Sequence, residues 1–142
     1  MKIVGKVWKS RTDNFWLVEV PLLNVMTQAK SKKETAVMIK DAIECLIDDT
    51  SFSVAAFLVG NTVCIETSDS KKLIALILKQ QRYRKNLTLE DVAEHLHAKS
   101  VNEYAQYEQG KHQPSFEKFA QLLEAIDPRL SPVISCLDKN GR

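Results

Sequence analysis

Residues 98–115 read AKSVNEYAQYEQGKHQPS, a stretch whose polar side chains are amides, hydroxyls, cations and two carboxylates. Asn102 and Gln106 are four residues apart, which puts both amides on one side of a helix. An amide offers a donor and an acceptor at the spacing of an adenine edge, so such a helix can read bases in a DNA major groove. Ser100, just ahead of Asn102, adds a hydroxyl that can donate or accept. The turn GKHQ follows, where Lys111 and His112 suit a phosphate, a contact that positions a protein without reading sequence. Glu103 would repel phosphate but can accept from cytosine N4. Tyr104 and Tyr107 lie three apart on another flank and read as core packing. With Thr88, Lys99, Val101 and Ala105 from the same region, the candidate DNA contacts are Thr88, Lys99, Ser100, Val101, Asn102, Ala105, Gln106, Lys111 and His112.

The surrounding elements must hold that helix in place. KLIALILKQQRYR has apolar residues at 73, 74, 76, 77 and 78 and ends at Asn86, which tolerates a left-handed backbone. Thr88 suits the N-cap of LEDVAEHLH, with Glu90 and Asp91 at its positive end. AKS makes a tight turn into VNEYAQYEQ, which Gly110 stops. Pro114-Ser115 opens FEKFAQLLEAI, whose inner face is predicted as Phe116, Phe119, Leu122, Leu123 and Ile126, and Pro128 closes it. SPVISCLDKNGR is expected to add one further turn. Four to five short helices, two of them joined by a tight turn, form the layout of a helix-turn-helix domain. The run KKLIALILKQQRYRK (71–85) holds six basic and no acidic residues. It fits either a phosphate-facing stripe or a solvated helix face.

Residues 1–70 follow another period. IVGKVWKS and FWLVEVPLL are short runs rich in β-branched and aromatic residues, separated by the turn-like RTDN. Pro21 should close the second strand, because it has no N–H to give to a ladder. NVMTQAK reads as a third strand. SKKETAVMIKDAIECLIDD then places Ala36, Ile39, Ile43 and Leu46 on one helical stripe, flanked by Val37, Ala42 and Ile47. Ser31 followed by Glu34 has the spacing of a capping box. FSVAAFLVG and TVCIETS return to strands, joined at Gly60-Asn61. The predicted order is β-β-β-α-β-β, and the fold class α+β: a small antiparallel sheet with one packed helix at 1–69, then an all-helical domain at 70–142. The expected exposed sheet edges are IVGKVW and TVCIET.

Composition narrows the function classes. The chain has 142 residues, a formal net charge of +2 and a hydrophobic fraction of 44%, which suits a folded globular protein. No apolar run reaches the ~18 residues of a membrane span. MKIVGKVWKS lacks the features of a signal peptide. Cys45, Cys64 and Cys136 are odd in number and form no CxxC pair, which fits reduced thiols in a cytoplasmic protein. Asp41, Glu44, Asp48 and Asp49 could gather around Mg²⁺ in a nuclease, but they read as the solvated side of one helix. His95, His97 and His112 have no metal-ligand spacing. No glycine-rich phosphate loop and no GxSxG elbow occurs. The expectation is a protein that is not an enzyme, with no metal and no cofactor.

Arg82, Leu87-Thr88, Val92-Ala93, Leu96, Tyr107-Glu108, Gly110, Lys111 and Pro114-Ser115 together resemble the phage-repressor-like, or Xre-type, helix-turn-helix family. The resemblance implies that Arg82 and Glu108 form a structural ion pair. His97 stands where that family usually has glycine, and the turn is one residue longer than its commonest form. With VPLLNVMTQAKSKKETAVMIKDAIECLI, where Thr27-Gln28, Ser31 and Glu34 match and Ala29 replaces a glycine, residues 1 to about 127 resemble HicB-type antitoxins. That resemblance implies a truncated RNase H-like sheet domain that binds a small basic HicA-like mRNA-cleaving toxin. It also implies a helix-turn-helix that represses the operon at palindromic operator DNA as a homodimer or dimer of dimers. A stand-alone regulator, whose sheet domain serves oligomerisation or ligand sensing, is the alternative.

Overall fold

The computed structural model describes residues 1–136. They form two compact units, residues 1–69 with Cys136, and Ser70–Ser135. In the first, β1 (Lys2–Lys9), β2 (Trp16–Val20), β3 (Val25–Ala29), α1 (Glu34–Glu44), β4 (Ala55–Val59) and β5 (Thr62–Glu66) follow in the predicted order. The strands make one antiparallel sheet of order β3-β2-β1-β5-β4. Alternation explains its core: Ile3 and Val7 of β1, Val18 and Val20 of β2, and Val63 and Ile65 of β5 are all buried. Val7 lies opposite Val18, and Ile3 opposite Ile65. Pro21 ends β2 in a single 3₁₀ turn, and Asn24, at φ +52°, redirects the chain into β3.

Glycine is required at one place in this sheet. A Cβ on Gly5 would lie 2.2 Å from the Glu19 carbonyl oxygen and 2.9 Å from a Val20 methyl. The β1–β2 ladder stops at the Lys6–Glu19 pair, and the missing side chain lets the end of β2 lean across β1.

α1 packs on β2, β3 and β4 through Ile39 and Ile43, both 0% exposed. Burying two such side chains contributes roughly 3–6 kcal/mol. The stripe is narrower than predicted. Leu46 lies past the end of the helix, Val37 points about 160° away from Ile39, and both are exposed. The capping box is displaced by one residue: the Ser31 hydroxyl accepts from the Glu34 N–H, but the Glu34 carboxylate accepts from the Lys30 N–H, each at 3.2 Å. The edge prediction fails. IVGKVW lies in β1 and TVCIET in β5, each bonded on both sides, and β3 and β4 are the edges.

The second unit contains α2 (Ser70–Arg84), α3 (Leu89–His95), α4 (Val101–Glu108) and α5 (Phe116–Ile126). α2 and α3 each pack on both α4 and α5. Leu73, Ile77, Leu78, Val92, Tyr104, Leu122, Leu123 and Ile126 are buried. Phe116 is not on the predicted inner face: it is 50% exposed at the first residue of α5. Residues 131–136 add no helical turn, and the rest of the predicted one lies outside the described residues.

Candidate nucleic-acid interface

Three helix ends fix the direction of the next helix, and each uses a residue in the left-handed region. Asn86 (φ +55°) follows α2, His97 (φ +54°) follows α3 and Gly110 (φ +69°) follows α4. At each end two orphan carbonyls are satisfied in the same way. Leu87 N–H donates to the Arg82 carbonyl and Asn86 N–H to Tyr83; Ala98 donates to Ala93 and His97 to Glu94; Lys111 donates to Gln106 and Gly110 to Tyr107. This is the Schellman pattern, which reverses the chain without leaving carbonyls unpaired. His97 thus does the work of the glycine it replaces.

A reciprocal cap fixes the start of α3. The Thr88 hydroxyl accepts from the Asp91 N–H at 3.1 Å, while the Asp91 carboxylate accepts from the Thr88 N–H at 2.8 Å. Those bonds hold the Asp91 carboxyl below its usual range. At α4 the arrangement differs. The Glu103 carboxylate accepts from the Lys99 N–H at 2.9 Å, and the Ser100 hydroxyl makes no cap bond. Glu103 therefore helps close the turn through one carboxylate oxygen, and the Ser100 hydroxyl is left out of the cap. Ser115 caps α5 by accepting from the Lys118 N–H at 3.1 Å.

α4 is held from behind by one ion pair. Arg82 donates through Nε to Glu108 Oε2 at 2.8 Å and through Nη2 to Oε1 at 3.0 Å, a bidentate fork. Its Nη1 donates to the Leu87 carbonyl at 2.9 Å, so one guanidinium joins α2, the α2–α3 loop and α4. The pair is largely buried, at 11% and 6% side-chain exposure, and the carboxylate holds the Arg82 pKa above its ordinary value. Beside it Tyr104 is fully buried, and its hydroxyl makes no hydrogen bond of good geometry. Burial pushes that hydroxyl far above the usual tyrosine range, and the Glu108 charge adds to the effect.

The candidate contacts separate by exposure. Lys99, Ser100, Asn102, Lys111, His112 and Thr88 are exposed, while Gln106 and Val101 are half-buried. Ala105 is a correction: at 5% exposure it shares the inner face of α4 with Tyr104. Gln109, which sequence reasoning passed over, is exposed and extends the outward line of Asn102 and Gln106. Its i+7 spacing from Asn102 was the available signal. Tyr107 is half-buried and meets His112 edge-on, with ring centroids 6.5 Å apart.

Within the basic run 71–85, Lys79, Arg82 and Lys85 have local partners. Arg82 is paired with Glu108, and Lys85 bonds Asp127 at 3.2 Å. Lys79 and Arg82 both lie over the Tyr83 ring. Asp127 also accepts from the Arg129 guanidinium at 3.0 Å, and these cations hold its carboxyl well below the usual range. The acidic group 41–49 divides too. Asp48 and Asp49 lie beyond α1, and Glu44 accepts from Lys40, from the Ser53 hydroxyl and from the Val54 N–H. Among the described residues no three His, Cys, Asp or Glu side chains gather as metal ligands would. Among them too, no helix is long and apolar enough to cross a membrane.

Two short helices joined through a left-handed residue, the second fixed from behind and polar in front, define a helix-turn-helix module, the DNA-binding class of transcriptional regulators. Residues 78–128 match the helix-turn-helix family model, a span that begins within α2 and ends just past α5. The C-terminal unit is accordingly an Xre-type DNA-binding module. No curated protein matches the chain.

Proposed function

We propose that the chain is the antitoxin of a type II toxin–antitoxin system. Its sheet unit binds and covers a small basic HicA-like mRNA-cleaving toxin. Its helix-turn-helix unit binds operator DNA and represses the operon that encodes both proteins. The observation that carries this reading is the order of elements: a β-β-β-α-β-β unit followed directly by the helix-turn-helix unit. Thr27-Gln28, Ser31 and Glu34 support it, since they match the HicB pattern at the entry to α1. The protein acts in the cytoplasm, as a homodimer or dimer of dimers whose two-fold symmetry matches palindromic half-sites. In this reading the chain is not an enzyme and needs no cofactor.

The test is gentle purification of the tagged chain from its native host. A small basic protein that co-elutes in fixed ratio, and cleaves RNA once freed, is the expected result. A chain that elutes alone while still binding DNA selectively sinks the antitoxin reading and leaves a stand-alone regulator. Lys111→Ala should weaken binding to every DNA sequence alike and lower the salt dependence by about one charge.

A further inference from the structure

α4 and its cap residue carry three amides on one outward line, Asn102, Gln106 and Gln109, at i, i+4 and i+7. Residues 101–109 contain no arginine and no lysine. The chemistry that most often reads guanine, a bidentate cation at O6 and N7, is therefore missing from this helix. The one carboxylate among its exposed residues, Glu103, has one oxygen committed to the Lys99 N–H, which ties that side chain to the turn at the head of α4. Gln106 donates only a long bond, 3.3 Å, to the Glu103 carbonyl, which a base edge can displace. What remains in front is an amide row with a free hydroxyl at its head, Ser100.

From Asn102 to Gln109 a helix rises about 10 Å, which is three base-pair steps at ~3.4 Å. We propose that the half-site read by α4 is built on adenine: at least two adenines within three or four consecutive base pairs, each contacted through N6 and N7 by Asn102, Gln106 or Gln109. The inference rests on the helix-turn-helix reading and specifies its ligand. Lys99 and Lys111 flank the row on loops, where they serve phosphates rather than bases.

The experiment uses the full chain and a library of random duplexes at fixed salt. Selected sites should share A·T pairs at adjacent positions. The best site is then remade with 7-deazaadenine at those positions, which removes the N7 acceptor and leaves Watson–Crick pairing and the minor groove intact. Wild-type binding should fall about fivefold per contacted adenine, the worth of one hydrogen bond. Asn102→Ala should lose about tenfold in preference for the selected site and become insensitive to 7-deazaadenine at one position. Gln106→Ala should do the same at a neighbouring position. Asn102 is exposed and Gln106 half-buried, and urea unfolding of each variant separates a lost base contact from lost stability. Selective binding to G·C-centred sites, or indifference to 7-deazaadenine, overturns the amide row and leaves the DNA-binding reading standing. Absence of any sequence-selective binding overturns both.

Discussion

Two helices in this molecule end on a glutamate. Glu44 is the last residue of α1 and Glu108 the last of α4. A carboxylate at a helix C-terminus faces the negative end of the dipole and is locally unfavourable. Each is offset by partners. Glu44 takes an ammonium, a hydroxyl and a backbone N–H at 26% side-chain exposure. Glu108 takes both arms of a guanidinium at 6%. The partner sets are comparable in number, but solvent screens the first and not the second. Burial, more than geometry, should therefore decide what each loss costs.

Glu108→Ala should show the largest effect. It leaves Arg82 charged, buried and unpaired, which costs about 3–5 kcal/mol. Urea unfolding of the full chain measures it, and a loss below about 1 kcal/mol would break the comparison. Thr88→Ala should cost about 1 kcal/mol by opening the cap on α3. His97→Gly should stabilise by a few tenths to about 1 kcal/mol, because glycine takes φ > 0 without a Cβ penalty. An unchanged or lowered midpoint would mean that the imidazole contributes something the backbone argument omits. Glu44→Gln should be smallest, below about 1 kcal/mol at neutral pH. Its sign has a pH signature. Lys40 and the Val54 N–H hold the folded Glu44 carboxyl below the ordinary glutamate value of 4.5. The contribution is then complete above that value and disappears as pH falls through the folded pKa. Wild type should lose more stability than Glu44→Gln between about pH 6 and pH 3, and equal slopes would refute the assignment.

What could be read in advance was local. Asn86, His97 and Gly110 declare helix ends because left-handed backbone is a property of single residues, and the structure places all three there. Strand existence was legible from alternation, but strand order was not. Lys2 pairs with Glu66 across most of the unit, and no short-range pattern encodes that. At the interface, polarity sorted most α4 residues, but Ala105 was misplaced. A small side chain carries no sign of its own, and only its place beside Tyr104 puts it inside. Glu103 has a second role that its type alone did not announce: placed four residues after Lys99, it closes the turn with one carboxylate oxygen.

The central place of β1 has a consequence for synthesis. A ribosome delivers Ile3 and Val7 well before β5, and Ile3 has its partner only when Ile65 has been made. Until then β1 can pair with β2 alone, and its other edge is open to any extended chain nearby. The helical unit has no such wait, because α2 to α5 close on neighbours within one short span. Nascent chains halted before β5 should thus be the most prone to aggregate.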